Sequence, residues 1–228
     1  MRQDSLTAQM RARIQTRRPD RFWQPRDFDD LADPKQVDRV LFRLATQGVL
    51  RPVRRGLYWR GRVTRFGMSR PGTDVLVAEV AGRRGVGPAG LTAANDLGLT
   101  SQVPAVETFA VPHRPPRPIP AIRFVDRSGR PGRVTSALTP VEVAVLEVLG
   151  DWDRIVEMPD VDARHRLAEM VRTGEVRGDR LARAAVSEPA AVRERLREVL
   201  VTADVPDLAE KVPPARSESL RAELVGGR

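Results

Sequence analysis

The stretch from Asp33 to Arg60 constrains the fold most, because it predicts one helix followed directly by a short β-hairpin. Asp33 can cap the first turn of the helix, and Pro34 suits its first position. Apolar residues then recur with helical spacing on one face, at Val37, Val40, Leu41, Leu44 and Ala45. Gly48 stands where a left-handed residue would end the helix. We therefore expect this helix to pack on a core by one face and to expose the other.

The opposite face of this helix carries polar side chains of the types that contact nucleic acid. They are Lys35, Gln36, Arg39, Arg43 and Gln47. Arginine and glutamine can hydrogen-bond the edges of bases, and arginine and lysine also hold phosphates. A solvated surface helix has a similar face, so the helix alone leaves both interpretations open.

The residues after Gly48 favour a DNA-binding interpretation. Residues 49–53 predict a short strand with Pro52 at a sheet edge, 54–56 a turn, and 57–59 the returning strand. The cations around the turn would repel one another unless a polyanion neutralised them; they are Arg51, Arg54, Arg55 and Arg60. A helix followed by a basic hairpin is the order of the back half of a winged helix, which places the helix in a DNA groove. A solubilising loop is the alternative.

The residues upstream complete such a module over about residues 4–62. A first helix is predicted over 5–17, a β-bridge to the hairpin at Phe22-Trp23, and a second helix from Pro25 through Leu31. Four aromatic side chains are expected to pack in the core or against the wing rather than to read DNA, namely Trp23, Phe28, Phe42 and Trp59.

The positive charge is concentrated in the same part of the chain. The whole sequence has a net charge of +9. Residues 1–72 hold 17 Lys and Arg against 7 Asp and Glu, a net of +10, so the remaining residues carry −1. A basic half joined to a neutral half is typical of polyanion binding. We expect a winged-helix domain over 1–72, a C-terminal domain over 73–205, and a partly mobile tail over 206–228.

The C-terminal part predicts a mixed but mostly helical domain. Helices are expected over about 73–84, 139–149, 160–173, 178–186 and 189–200. Two short β-runs, 108–111 and 122–125, flank a proline-rich segment and suggest a hairpin-like pair. The glycines of GVGPAG (85–90) match no phosphate-binding loop and favour a sharp turn with close packing. The predicted fold class is therefore α+β, mainly α, with an N-terminal winged helix-turn-helix.

Composition and spacing exclude several other classes. The chain has no cysteine, no apolar run long enough to span a membrane and no signal-peptide pattern, so a cytoplasmic protein is expected. The two histidines, His113 and His165, and the carboxylates do not form a catalytic or metal-binding cluster. We expect no catalytic residues, no cofactor and no metal. The low aromatic content of 4% argues against base stacking on an RNA-binding sheet.

Two motifs resemble a known family. The runs FWQPRDF (22–28) and VDRVLFRLATQGVLRPVRRGLY (37–58) resemble the N-terminal winged helix of AbiEi-type antitoxins, the autoregulators of type IV toxin–antitoxin systems. The run GPAGLTAANDLGLTSQVP (87–104) resembles the segment after the wing in a related antitoxin-like family. The resemblance covers about residues 20–125. Gln24 departs from it, since the family tends to have a Ser or Thr cap there.

The resemblance implies a DNA-binding antitoxin that represses its own operon and counteracts a nucleotidyltransferase-like toxin. Transferred by position, Lys35, Gln36, Arg39 and Arg43 would read double-stranded operator DNA, and Arg51, Arg54 and Arg55 would hold phosphates. A monomer or a homodimer would bind inverted repeats. The alternatives are a solitary winged-helix regulator and an RNA-binding module without a toxin partner.

Overall fold

The computed structural model describes residues 2–214, and internal contacts divide the chain into two compact units, Met1–Glu79 and Val80–Arg228. Each unit has its own apolar core. The boundary falls inside helix α3 (Thr73–Ala81), seven residues after the predicted one. The described chain is α+β and mainly helical, as predicted.

The first unit consists of helices and short antiparallel strands. In chain order these are α1 (Arg2–Thr16), β1 (Arg21–Trp23), a 3-10 turn (Pro25–Phe28), α2 (Pro34–Thr46), β2 (Arg51–Arg54), β3 (Leu57–Arg60), β4 (Val63–Thr64) and β5 (Gly67–Met68). β3 lies between β1 and β2 in a three-stranded sheet, in which Phe22 is paired with Trp59. β4 and β5 form a separate hairpin. The predicted β-bridge at Phe22-Trp23 is confirmed.

α2 forms for the reasons that its sequence suggests. The Asp33 carboxylate accepts hydrogen bonds from the backbone amides of Lys35 and Gln36, at 3.0 and 3.1 Å. Gly48 has a φ of +73°, so it supplies the left-handed residue after the helix. The apolar stripe packs into the core of the unit, and its buried members are Val37, Val40, Leu41 and Leu44. The predicted start, face and end of this helix are confirmed.

Two predictions for the first unit are wrong. The second helix, expected through Leu31, is a single 3-10 turn that ends at Phe28. Asp33 must be extended before Pro34 and caps α2, which leaves too few residues for a longer helix. Phe42, expected to pack in the core or against the wing, is 70% exposed. It lies seven residues after Lys35, and therefore on the solvent side of α2.

The second unit is built around one buried helix. Its elements are β6 (Gly87–Pro88), α4 (Gly90–Asp96), β7 (Glu107–Val111), β8 (Ile122–Asp126), α5 (Gly132–Thr135), α6 (Pro140–Ile155), α7 (Asp160–Arg172), α8 (Gly178–Ala184), α9 (Ala190–Thr202) and α10 (Pro206–Lys211). α6 packs against α4, β6 and α9, and is apolar on nearly all sides. Thr139 and Glu142 form the predicted capping box at its start.

The strands β7 and β8 are parallel, so the expected hairpin is wrong. The connection from Pro112 to Ala121 contains five prolines, and these lack the amide hydrogens that stabilise tight turns. Ten residues of extended chain span roughly 31 Å, which is enough to return along a five-residue strand. The connection therefore crosses back and starts β8 beside the beginning of β7, where Glu107 is paired with Ile122.

The glycine-rich turn is closely packed, as the sequence predicts. A Cβ atom on Gly87 would lie 2.4 Å from the carbonyl oxygen of Pro140, so only glycine fits between β6 and α6. Pro88 lies in β6, and α4 begins two residues later, at Gly90.

The first residues of the predicted tail over 206–228 belong to the folded second unit. Pro206–Lys211 form α10, which packs against α8 and α9, and Ala209 and Val212 are buried in the core. The rest of the predicted tail, 215–228, lies outside the described residues.

Candidate nucleic-acid interface

The exposed face of α2 forms the first part of the candidate site. Lys35, Arg39, Phe42 and Thr46 follow one another at helical spacing along the solvent side, and all four are exposed. Gln36 and Arg43 flank this row and are also exposed. The structure therefore brings the four predicted residues of α2 onto one face and adds Phe42, which the sequence predicts in the core or against the wing.

The hairpin β2–β3 forms the second part of the site. Its turn lies between Arg54 and Leu57, which are paired, and Gly56 has a φ of +74° in the turn. Arg55 is exposed at the tip, and Arg54 is half-buried beside it. These two arginines stand where the sequence predicts phosphate contacts.

Two other arginines of the hairpin support the protein itself. Arg51 donates from Nη2 to the carbonyl oxygen of Met68, at 2.9 Å. Arg60 donates to the carbonyl oxygens of Ile14 and Arg17 at the end of α1. Arg51, one of the predicted phosphate contacts, therefore has a positioning role between two hairpins.

The absence of acidic residues from one stretch of the sequence marks the site more clearly than the net charge of residues 1–72. Residues 39–73 contain nine arginines and no aspartate or glutamate. All seven acids of the first 72 residues precede this stretch. The stretch begins within α2 and extends through both hairpins, so its missing carboxylates mark the candidate surface better than composition does.

Two carboxylates of the first unit pair with arginines outside α2 and the hairpin β2–β3. Asp30 lies 2.6 Å from Arg13, and this hydrogen bond holds the pKa of the Asp30 carboxyl below its usual range. Asp20 forms an ion pair with Arg62 at 2.9 Å. Asp38 is exposed on α2, and after burial its charge is the second cause that raises the pKa of Tyr58. Asp38 would therefore repel phosphates that approach this edge of the helix.

The second unit contains a buried ion-pair network that the sequence analysis did not anticipate. Arg133 is fully buried and pairs with both oxygens of Glu188, at 2.7 and 3.0 Å, and with Glu147 at 2.6 Å. Arg127 makes a two-point contact with Glu147, at 2.8 and 2.9 Å. Arg130 reaches both glutamates at longer distances, 3.3 and 3.2 Å.

This network holds the Glu147 carboxylate ionised. Burial would raise the pKa of Glu147, but hydrogen bonds and charges from Arg127 and Arg133 lower it further than burial raises it. A carboxylate in this state is a poor proton donor at neutral pH. The charged groups hold α5, α6 and the segment before α9 together. The signal available in the sequence was a glutamate, Glu147, within the otherwise apolar run 143–149.

Another carboxylate, that of Glu157, holds the segment with the LGLTSQVP motif in place. Glu157 accepts hydrogen bonds from the hydroxyl of Thr100, at 2.6 Å, and from the amide of Ser101, at 3.1 Å. These bonds, led by the one from Thr100, lower the pKa of Glu157. Its backbone amide also donates to Leu99. The polar residues of the motif therefore hold this loop against the end of α6.

Between residues 2 and 214, no three His, Asp or Glu side chains are placed to hold a metal ion. Each ring nitrogen of His113 lies 2.9 Å from a backbone carbonyl oxygen, Nε2 from that of Ala81 and Nδ1 from that of Arg114. In the same part of the chain, no helix combines the length and the apolar character needed to cross a membrane.

Comparison with known proteins gives a family likeness and a structural likeness. The model of a family of unknown function, DUF6088, matches residues 9–112. A structural match is the crystal structure of the RV2827C protein from Mycobacterium tuberculosis, at a TM-score of 0.52 and 15% sequence identity. The match covers 92% of this chain and 82% of that protein, and at this identity it shows a shared fold alone. No curated protein matches the sequence.

Proposed function

We propose that this chain is a sequence-specific DNA-binding repressor whose first unit is a winged helix-turn-helix. The observation that supports this most is the combination of α2 and hairpin β2–β3. They present Lys35, Arg39 and Arg43 on one helix face and Arg54 and Arg55 on the hairpin. The four arginines lie in the stretch 39–73, which has no carboxylate. The order of α1, β1, the 3-10 turn, α2 and the two-stranded wing also agrees with such a module.

In this proposal α2 lies in the major groove. Arg39 and Arg43 hydrogen-bond guanine edges, and Gln36 is suited to adenine. Phe42, exposed in the same row as Arg39, packs on thymine methyl groups. Arg54 and Arg55 bind the phosphates beside the groove and set the register of the helix.

The resemblance of residues 20–125 extends the proposal to a physiological role. By that resemblance, the protein is an AbiEi-type antitoxin that represses its own operon and counteracts a nucleotidyltransferase-like toxin. It binds inverted repeats as a homodimer or as two monomers. Co-expression with the product of the neighbouring gene tests this role, because an antitoxin restores growth and a solitary regulator does not.

A salt titration with matched variants tests DNA binding. With about five phosphate contacts, the logarithm of the binding constant should fall with the logarithm of salt at a slope of roughly −4 to −5. Arg55→Ala should weaken binding to all sequences alike and make the slope less steep by about 1. Arg39→Ala should lose about 1–3 kcal/mol on the preferred sequence and less on others.

Arg183→Ala is the control, since it removes an equal charge from an exposed side chain of the second unit. Binding that is independent of salt, or an effect of the control as large as that of Arg55→Ala, contradicts the proposed surface.

A further inference from the structure

The hairpin β4–β5 exposes apolar side chains in a basic setting. Val63 and Phe66 are each 84% exposed. Arg65 lies over the Phe66 ring, with 4.6 Å between the guanidinium carbon and the ring centroid. Among the side chains of residues 5–214, no carboxylate forms an ion pair with Arg65 or Arg70. The tip of this hairpin therefore combines an unburied aromatic ring with positive charge that none of those carboxylates compensates.

The tip has a defined conformation. The Thr64 hydroxyl accepts a hydrogen bond from the amide of Phe66, at 3.2 Å, and donates one to the carbonyl oxygen of Gly67, at 2.8 Å. Gly67 has a φ of +96°, which glycine adopts without strain. Arg65 and Phe66 are thus presented by a closed two-residue turn.

The base of the hairpin is fixed to the sheet of the first unit. Arg51 donates to the carbonyl oxygen of Met68, and the Trp59 indole donates to that of Ser69 at 3.0 Å. A Cβ atom on Gly61 would lie 2.5 Å from the same Ser69 oxygen, so this approach needs glycine. The hairpin is therefore ordered before it meets any partner, which reduces the entropy lost on binding.

We propose that β4–β5 is a second DNA-contacting element that enters the minor groove of a duplex. Arg65 donates hydrogen bonds to the base and sugar acceptors of the groove, and Phe66 packs on the apolar wall of the groove. This inference rests on the proposed function. The minor groove is narrow and electronegative, it attracts arginine, and proteins that bind there insert apolar side chains. A tip of two residues, one cationic and one aromatic, fits it in size and charge. Two isolated apolar side chains are a small patch for a protein partner.

Three duplex polymers separate the two grooves. In the minor groove poly(dI-dC) shows the pattern of A·T pairs, because inosine lacks the amino group of guanine, while its major groove resembles that of G·C. The full-length protein is titrated by fluorescence anisotropy against poly(dA-dT), poly(dI-dC) and poly(dG-dC). We expect a higher affinity for poly(dI-dC) than for poly(dG-dC), because these two polymers share a major groove and differ in the minor groove. A difference between poly(dA-dT) and poly(dI-dC) reports on the major-groove contacts of α2.

Two exposed phenylalanines provide a matched pair of variants. Phe66→Ala should weaken binding to poly(dI-dC) by about 5- to 100-fold, the range for one lost aromatic contact to bases, and bring it near the affinity for poly(dG-dC). Phe42→Ala should keep the preference for poly(dI-dC) over poly(dG-dC). Circular dichroism checks that both variants are folded.

Different results contradict different proposals. If poly(dI-dC) binds like poly(dG-dC), or if Phe66→Ala keeps the preference of the wild type, the hairpin does not read the minor groove although the protein binds DNA. If no polymer shows salt-dependent binding, the proposed DNA-binding function fails as well. If Phe66→Ala instead converts a dimer to a monomer in light scattering, the hairpin is a self-association surface and the inference is wrong.

Discussion

Arg133→Met should destabilise the second unit strongly. The substitution removes a fully buried guanidinium that bridges Glu147 and Glu188. Glu147 keeps its two-point contact with Arg127, but of the described residues only Arg130, at 3.2 Å, still pairs with Glu188. Breaking a buried ion pair from one side typically costs about 3–5 kcal/mol, because a charge stays buried without its partner. The poorly compensated charge here is that of Glu188.

The expected loss can be measured by thermal unfolding followed by circular dichroism. For a unit of this size, about 4 kcal/mol corresponds to a fall in the midpoint of roughly 8–16 °C. Arg130→Met is the matched control, since Arg130 is 20% exposed and its contacts are longer, so it should lose about 1 kcal/mol. Adding Glu188→Gln to Arg133→Met should recover part of the loss, because it removes the uncompensated charge.

The order of stability of these variants tests the role of the network. If Arg133→Met unfolds within about 1 kcal/mol of the wild type, or if Arg130→Met is the more damaging of the two, the network does not carry the stability that its geometry indicates. If Glu188→Gln adds its full cost to that of Arg133→Met, the two side chains are energetically independent and the pairing is wrong.

Three further predictions concern pH, capping and packing. The pKa of Glu147 is lowered in the fold, so the stability that this carboxylate contributes is complete above its ordinary pKa of 4.5 and is lost as the pH falls through the folded pKa. In urea titrations, Glu147→Gln should therefore be less stable than the wild type at pH 7 but should lose less stability between pH 5 and pH 3. Asp33→Ala removes the cap of α2 and should lower the unfolding free energy of the first unit by about 1 kcal/mol, whereas Asp33→Asn should keep most of it. Gly87→Ala places a methyl group 2.4 Å from the Pro140 carbonyl oxygen and should cost about 1–3 kcal/mol, while Gly129→Ala, with open space around it, should change little in the same assay.

Local signals in the sequence predicted much of the first unit. The cap at Asp33, the apolar stripe and Gly48 each act within a few residues, so they define α2 without knowledge of the rest of the chain. Phe42 was misplaced because aromatic residues are usually buried, although its position in the helical repeat put it on the solvent side. Its exposure adds an aromatic side chain to the candidate site.

Features that depend on distant residues could not be predicted. The parallel pairing of β7 with β8 depends on the path of the proline-rich connection, which short β-runs do not reveal. Arg133 pairs with Glu188, which lies 55 residues further along the chain, and one sequence gives no reason to pair them. The separate hairpin β4–β5 has strands of two residues each, too short for an alternating pattern.

Binding of the full-length protein to the DNA upstream of its own gene tests the central claim most directly. Anisotropy titrations would compare the native fragment with a shuffled one, for the wild type, for Arg39→Ala/Arg43→Ala and for Arg183→Ala. We expect the wild type and Arg183→Ala to prefer the native fragment by a factor on the order of 10³ or more, and the double variant to lose that preference. Equal affinity of the wild type for both fragments would contradict a sequence-specific repressor and leave a basic unit whose partner is not operator DNA.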